Sequence, residues 1–284
     1  MAALIDCDPE GPTVTSTTDL EMLKAKQQKM WSSGDYGKIA WLTVPLADQL
    51  CESANLRPGS TMLDVATGTG HVAIAAARRF CQATGIDYVP ALVDTAHARA
   101  TAEGLDIEFR EADAENLPFP DASFDYVMSA IGVMFTADHQ RAARELLRVC
   151  KPGGKVAVAN WTPTGFVGKI FKTVGTYAPP PPGAQSPPRW GDEVVVRDLF
   201  ADGSSEISFS THNAPQRFLS PEHFADFFIS EYGPTLKASE AQTDEDRRAA
   251  FRADLIDIAT EANQSTDGTL LSDWQYLVAV ATRA

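Results

Sequence analysis

The chain has 284 residues, of which 44% are hydrophobic and 22% are charged, a composition typical of one large globular domain. Its 24 Lys and Arg residues against 38 Asp and Glu residues give a formal net charge of -14, which disfavours binding to nucleic acid or to an anionic membrane surface. The four cysteines, at positions 7, 51, 81 and 150, are too far apart to indicate a zinc site or a disulfide framework. The N-terminus lacks the features of a signal peptide, and no apolar run has the length of a membrane span, so we expect a cytoplasmic protein without a metal site.

The first part of the chain alternates between helix and strand patterns. Apolar residues at three- to four-residue steps predict helices between residues 19 and 52, with a break at residues 32–34. Residues 61–66 predict a short buried strand, which leads through a Gly-Thr-Gly loop into a helix at residues 71–80. Further strands are predicted at 82–87, 107–113, 124–130 and 155–161, with helices at 91–103 and 139–150. This rhythm predicts a mainly parallel, doubly wound α/β sheet.

The rhythm stops after residue 161. An apolar helix at 166–177 is followed by a Pro-rich stretch at 178–188, which we predict to be a loop over a ligand site. Helices are predicted at 192–200, 222–231 and 244–263, and strands at 205–212 and 276–282. Aromatic side chains are frequent in this half, and they could line an enclosed apolar pocket or simply form core: Phe166, Phe171, Tyr177, Trp190, Phe224, Phe227, Phe228 and Tyr232.

The sequence LDVATGTG, at residues 63–70, lies where the first strand meets the first helix of the sheet. Ligands bind at this edge of parallel sheets, and glycine allows a ligand to approach the main chain closely. Gly68-x-Gly70-x-x-Ala73 also satisfies a dinucleotide fingerprint, and Asp87 lies where a ribose-binding acid is expected. The loop alone therefore leaves two hypotheses, a methyltransferase and an NAD-dependent oxidoreductase.

Three neighbouring features favour the methyltransferase. Asp64 precedes the loop, and its carboxylate suits a cationic amine better than a pyrophosphate. The third strand ends in acidic residues at 111–115, which can accept a hydrogen bond from an adenine amino group. Residues 147–154 end a helix and turn tightly into the fifth strand.

Together, these motifs resemble the class I methyltransferase family. The matching segments are LDVATGTG, GID at 85–87, EADAENLPFPDASFD at 111–125 and LLRVCKPGG at 146–154, within residues 57 to 161. The chain is particularly similar to the branch that contains the ubiquinone/menaquinone-biosynthesis C-methyltransferases and uncharacterised bacterial small-molecule methyltransferases. The resemblance implies a Rossmann-like sheet of seven strands, S-adenosylmethionine as the cofactor and a small-molecule methyl acceptor.

The resemblance also implies roles for individual positions. The loop would wrap the methionine part of the cofactor, Asp64 would orient the loop and the amine, Asp87 would hold the ribose hydroxyls, and Asp113 would receive the adenine amino group. Many relatives have Gly where this chain has Ala66, which we interpret as a slight tightening of the loop. The implied cofactor site comprises Asp64, Ala66, Thr67, Gly68, Gly70, Asp87, Tyr88, Asp113, Ala114, Glu115 and Ser129.

Several further residues are candidates for the site. Trp31 and Tyr36 could place an aromatic face beside the sulfonium, or could staple the N-terminal helices to the core. His71 could contact the cofactor or face solvent. Methyl transfer needs a base only for some acceptors, and His139 and His212 are the candidates for that role.

We therefore expect a methyltransferase acting on a small, partly apolar metabolite. The expected units are an N-terminal helical lid (residues 1–55), a cofactor-binding core (56–162), a substrate-capping insertion (163–235), and a C-terminal helix and strand that complete the sheet (236–284). The rival hypotheses are the NAD-dependent oxidoreductase and a protein that binds the cofactor without catalysis.

Overall fold

The computed structural model describes residues 17–33, 35–181 and 184–284. Cys7, Gly34 at the predicted helix break, and Pro182 and Gly183 of the Pro-rich stretch lie outside these residues. The described chain contains a seven-stranded sheet of order β3-β2-β1-β4-β5-β7-β6. Its strands are β1 (Thr61–Val65), β2 (Gln82–Asp87), β3 (Glu108–Glu111), β4 (Phe124–Ala130), β5 (Cys150–Trp161), β6 (Ser204–Phe218) and β7 (Leu270–Arg283). The predicted doubly wound α/β class is confirmed.

Helices cover both faces of this sheet. Most begin and end within a few residues of the predicted bounds, because their apolar spacing follows the helical period. An eight-residue helix that begins at Gly233 and Pro234 was not predicted, since this pair is typical of a turn, although proline suits the first turn of a helix. The helices are α1 (Thr17–Trp31), α2 (Tyr36–Ala40), α3 (Val44–Ala54), α4 (His71–Ala77), α5 (Pro90–Ala102), α6 (His139–Val149), α7 (Phe166–Tyr177), α8 (Glu193–Phe200), α9 (Pro221–Glu231), α10 (Gly233–Glu240) and α11 (Glu245–Glu261).

Strands β1 to β5 are parallel to one another, so the carboxyl ends of β1, β2 and β4 meet at one edge of the sheet. Their residues are largely buried because helices cover both faces. β1 lies at the centre, between β2 and β4. The loop that follows β1 therefore lies where ligands of doubly wound sheets bind.

The last two strands form a long antiparallel ribbon that extends further than predicted. β6 pairs with β7 from Ser204 opposite Arg283 to Phe218 opposite Leu270, whereas the predicted strands covered only 205–212 and 276–282. Residues 213–218 of β6 include several polar residues, so alternation in the sequence did not indicate that the strand continues past residue 212. No helix among the described residues is long and apolar enough to cross a membrane.

A close backbone contact joins the insertion to the sheet. Pro187–Gly191 form a short 3₁₀ helix after the Pro-rich stretch, and a Cβ added at Gly191 would lie 2.0 Å from the backbone oxygen of Trp161 at the end of β5. Only glycine fits at such a distance.

We therefore expect Gly191→Ala to destabilise the protein by about 2 kcal/mol or more, because backbone must move to admit the methyl group. Gly175→Ala in α7 is the matched control, since nothing lies within 4 Å of its added Cβ. Urea unfolding measures both changes, and equal stability of the two variants would contradict the contact.

Candidate functional site

A buried carboxylate in β1 holds the glycine loop in place. Asp64 is almost fully buried in β1 and accepts hydrogen bonds from Thr67 Oγ1 at 2.5 Å and from the Ala73 N–H at 3.0 Å. Burial raises the pKa of this carboxyl to about 7, although both hydrogen bonds act in the opposite direction. Asp64 thus ties β1, the loop and the first turn of α4 together. It does not line a cavity, so its contribution is to hold the loop.

A second carboxylate holds the loop from the neighbouring strand. Asp87 ends β2, is 5% exposed, and accepts hydrogen bonds from the N–H groups of Gly68 and Val89, each at 2.9 Å. Burial raises its pKa to about 6. Gly68 adopts a φ of +55°, a backbone angle that glycine accepts readily, and this angle aims its N–H at Asp87.

Ala66 occupies the position where many relatives have glycine. Its φ is +54°, which is unfavourable for a residue with a Cβ. Gly132, which follows β4, leaves room for it: a Cβ added at Gly132 would lie 2.5 Å from the Ala66 Cβ and 2.4 Å from its backbone oxygen. The tightening expected at Ala66 is thus accommodated by a glycine across the sheet edge.

A cavity of about 670 Å³ opens above this loop, and we call it the first cavity. It brings together most of the predicted cofactor residues with backbone and side chains from the ends of β2 and β3. Asp87 lies at one side, and the loop after β3 forms the other. The predicted residues that line it are Trp31, Tyr36, Ala66, Gly68, Asp87, Tyr88, Asp113, Ala114 and Glu115.

Helix α1 forms a roof over the first cavity. Lys24 Nζ lies 2.7 Å from both Asp113 Oδ2 and Glu115 Oε2, and two glutamines one turn on donate to the backbone oxygens of Phe135 and Tyr88. Glu115, only 2% exposed, also accepts from the N–H of Ala137 at 2.6 Å. The Asp113 carboxylate, predicted to receive adenine, is therefore paired with Lys24.

The sequence reasoning missed these roof residues. Lys24, Gln27 and Gln28 stand at helical steps of three and four, so they share one face of α1, and that spacing was the available signal. It is also typical of an ordinary solvated helix face. Only the packing of α1 on the loops after β2, β3 and β4 shows that this face covers the first cavity and is not an ordinary solvated face.

A second cavity, of about 430 Å³, adjoins the first, and Tyr36 and Phe135 line both. Its wall is apolar and rich in aromatic rings from the lid and the insertion. Of the aromatic residues predicted for such a pocket, Phe228 and Tyr232 line it, whereas Phe166 and Phe224 lie in the core. The wall consists of Tyr36, Ile39, Leu42, Thr43, Ile131, Phe135, Trp161, Val167, Ile170, Phe228, Tyr232 and Trp274.

Tyr36 lies between the two cavities, and Trp31 packs beside it on the wall of the first. Trp31 is 8% exposed and packs edge-on against Tyr36 and Phe135, with ring centroids 5.5 and 4.6 Å apart. The Tyr36 ring lies over the glycine loop, since a Cβ added at Gly68 would be 3.5 Å from its Cε1. Both aromatic residues thus staple the lid to the core and also face the first cavity.

Other predicted cofactor residues lie behind the cavity wall, which corrects their expected positions. Gly70 begins α4 with a φ of +87° and faces Ala96 and Phe109. His71 lies beside Thr69, and burial and Arg99 lower its pKa to about 3. Thr67 points to Asp64, and Ser129 Oγ accepts from the Val133 N–H at 3.1 Å. These four residues shape the loops from inside the fold and do not line either cavity.

The two candidate histidine bases also lie outside the cavities. His139 is buried at the start of α6 with its ring edge-on to Trp190, and burial lowers its pKa to about 4. His212 lies within β6, the outermost strand, where it stacks on Tyr276 and hydrogen-bonds Ser210 at 2.8 Å. The prediction that either acts on substrate is corrected, because β6 extends past His212 and α6 turns His139 into the core.

The chain is similar to known proteins in sequence and in fold. Residues 63–158 match the family model described as a methyltransferase domain. An uncharacterised protein of Mycobacterium tuberculosis is 39% identical over 273 residues, which cover 95% of this chain and 98% of that protein. A demethylmenaquinone methyltransferase of Deinococcus radiodurans is 38% identical over 148 residues, or 51% of this chain and 59% of its own length. The solved YcgJ protein of Bacillus subtilis has a TM-score of 0.56 at 19% identity, covering 84% of this chain and 98% of its own.

The chain belongs to the class I S-adenosylmethionine-dependent methyltransferase family, and S-adenosylmethionine is its cofactor. The NAD-dependent alternative finds no support. The fingerprint glycine at position 70 packs against Phe109, and the wall of the first cavity holds carboxylates where a pyrophosphate would need donors.

The raised pKa of Asp87 predicts how cofactor affinity depends on pH. Ribose hydroxyls need the ionised carboxylate as an acceptor, so affinity is lost as pH falls through about 6. Calorimetry with S-adenosylhomocysteine should show the dissociation constant rising toward about tenfold per pH unit below that value.

Asp87→Asn is the control for this pH dependence. It should weaken binding by at least about tenfold at pH 8, because a charge-assisted acceptor is lost. Its affinity should also vary less between pH 5 and pH 7 than that of the original chain. Equal pH dependence in both proteins would show that Asp87 does not contact the ligand.

The roof contacts predict that Lys24 slows ligand exchange. Lys24→Met should speed release of S-adenosylhomocysteine by about tenfold, because Glu115 loses its cation and α1 its anchor. Lys26→Met changes an exposed lysine of the same helix and should leave release unchanged. Stopped-flow displacement measures both rates, and equal rates in the two variants would show that α1 is not held by this pair.

Proposed function

We propose that the protein transfers the methyl group of S-adenosylmethionine to a small, partly apolar metabolite. The observation that carries the proposal is the junction of two chemically different cavities at Tyr36 and Phe135. The first cavity offers carboxylates and backbone groups at the ends of β1, β2 and β3. The second offers an apolar wall suited to an acceptor.

The residues of the first cavity fit the cofactor. Gly68 exposes its backbone because it has no Cβ, and the buried carboxylate of Asp87 gains from two hydroxyl donors, which lower its raised pKa. The loop at Asp113 and Ala114 would hold the adenine end. Tyr36 and Trp31 would border the sulfonium, whose charge an aromatic face stabilises by about 0.5–2 kcal/mol.

The protein itself would align the methyl donor with the acceptor and exclude water from both. When bound, S-adenosylmethionine supplies an electrophilic methyl group, and charge is dispersed in the transition state. Tyr36 and Phe135 would form the passage through which acceptor and donor meet in line. The roof contacts of Lys24, Gln27 and Gln28 would close this passage to solvent.

The domain arrangement follows from the same proposal. Residues 1–55 would act as the lid, 56–162 as the cofactor core and 163–235 as the substrate cap, with 236–284 completing the sheet. The lid supplies Tyr36 and Ile39, and the cap supplies Phe228 and Tyr232, to the wall of the second cavity. The similarity to a protein named demethylmenaquinone methyltransferase supports a small-molecule acceptor.

Incubation with methyl-labelled S-adenosylmethionine and a fractionated cell extract tests this function. Label should enter the organic-soluble small-molecule fraction and should fall with Asp87→Asn at limiting cofactor. Label in protein or nucleic acid alone would contradict a small acceptor. Tight binding of S-adenosylhomocysteine without transfer to any fraction would instead support a non-catalytic binding protein.

A further inference from the structure

The second cavity contains no charged side chain among its described lining residues. Its polar side chains belong to Tyr36, Tyr232, Thr43, Trp161 and Trp274. The Thr43 hydroxyl donates to the Ala40 backbone oxygen at 2.7 Å, and the Trp274 indole N–H donates to Ser272 Oγ at 3.1 Å. Tyr232 is only 7% exposed, and no described group hydrogen-bonds to its hydroxyl or to that of Tyr36. The two phenols and the indole N–H of Trp161 therefore remain as the polar side-chain groups available to an acceptor.

These phenols act as hydrogen-bond donors and not as bases. Burial raises the pKa of Tyr232, and the neighbouring Tyr36 raises it further. Burial and the Asp87 charge also raise the pKa of Tyr36. Both hydroxyls stay protonated at physiological pH. With the two histidines outside the cavity, no described lining residue can remove a proton from the acceptor.

The charge balance of methyl transfer then discriminates between acceptor classes. An amine must first lose a proton and then becomes a cation when it receives the methyl group. Burying that cation without a carboxylate costs several kcal/mol, whereas the surrounding aromatic rings return about 2 kcal/mol. Methyl transfer to a neutral amine moves the positive charge from sulfur to nitrogen, whereas an oxyanion that reacts with a sulfonium consumes both charges. An apolar wall therefore favours the oxyanion reaction over one that leaves a cation in the second cavity.

Resting on the methyl transfer proposed above, we propose that the acceptor is an otherwise apolar, flat phenol or enol, methylated on oxygen as its oxyanion with Tyr232 donating a hydrogen bond to that oxygen. The acceptor releases its proton to solvent before it is enclosed. A bond forms between the oxygen and the methyl carbon, the bond from that carbon to sulfur breaks, and its electron pair stays on sulfur. The products are a neutral ether and a neutral thioether.

The aromatic wall supports a flat ring system. The rings of Trp161 and Trp274 lie edge-on with centroids 5.8 Å apart, and those of Phe228 and Tyr232 lie edge-on at 5.5 Å. Such faces and edges stack on planar rings and gain about 0.5–1.5 kcal/mol for each aromatic pair.

A set of matched acceptors tests the class. Naphthols and monocyclic phenols, each with the corresponding amine and carboxylic acid, are incubated with the full chain and labelled S-adenosylmethionine. Methyl ethers should form at least about tenfold faster than methylated amines, which would leave a cation in the cavity, and than methyl esters, because a carboxylate is a weaker nucleophile than a phenolate. Between pH 7.5 and pH 9.5 the rate should rise with pH, and its midpoint should move to lower pH for a more acidic, ring-fluorinated naphthol.

Tyr232→Phe tests the donor. We expect kcat/KM for the preferred phenol to fall by about tenfold to a hundredfold, while the affinity for S-adenosylhomocysteine stays within about twofold. Tyr126→Phe is the matched control, because its hydroxyl donates to the Asn55 backbone oxygen at 3.1 Å near the start of β4, away from both cavities. It should retain the original kcat/KM.

The outcomes separate this inference from the methyl transfer itself. Preferential methylation of an amine or acid, or of extract metabolites with no turnover of any phenol, would overturn the acceptor class and leave methyl transfer standing. A pH midpoint independent of acceptor acidity, or an unchanged kcat/KM in Tyr232→Phe, would overturn the oxyanion or the donor. No transfer to any acceptor or extract would overturn the proposed function instead.

Discussion

Two buried carboxylates at the ends of neighbouring strands determine the shape of the site. Asp64 and Asp87 are surrounded by protein, and burial raises the pKa of each by opposing its charge. Backbone N–H groups of the loop and of the following segments offset that cost. The same hydrogen bonds fix a loop with unusual backbone angles at Ala66, Gly68 and Gly70, so the loop is held in place before any ligand arrives.

The rigid loop then defines two different environments. Above it, the first cavity keeps the polar groups at the sheet edge. Beyond Tyr36 and Phe135, the second cavity is bounded by rings from the lid and from the insertion. This division suits a reaction between a charged donor and an apolar acceptor. The donor would lose water against polar groups, and the acceptor would lose water against apolar side chains.

The lid and the insertion owe their positions to different forces. Helix α1 is held on the loops after β2, β3 and β4 by hydrogen bonds and by the pairing of Lys24 with buried Glu115. The insertion is held by apolar packing, in which Phe166, Phe224 and Phe228 contact Trp274 of β7.

The sequence by itself determined the order of the elements, the class of the sheet and the place of the glycine loop, because these depend on local periodicity and on glycine at positive φ. It also indicated Asp87 and the acidic turn after β3, since their distance from the loop along the chain is characteristic. Tertiary structure alone decided which polar residues line the two cavities. His139 and His212 lie outside both cavities, while Lys24 and Tyr232 lie on cavity walls formed by segments far apart in sequence. A residue's neighbours across such segments follow from packing, which no local pattern records.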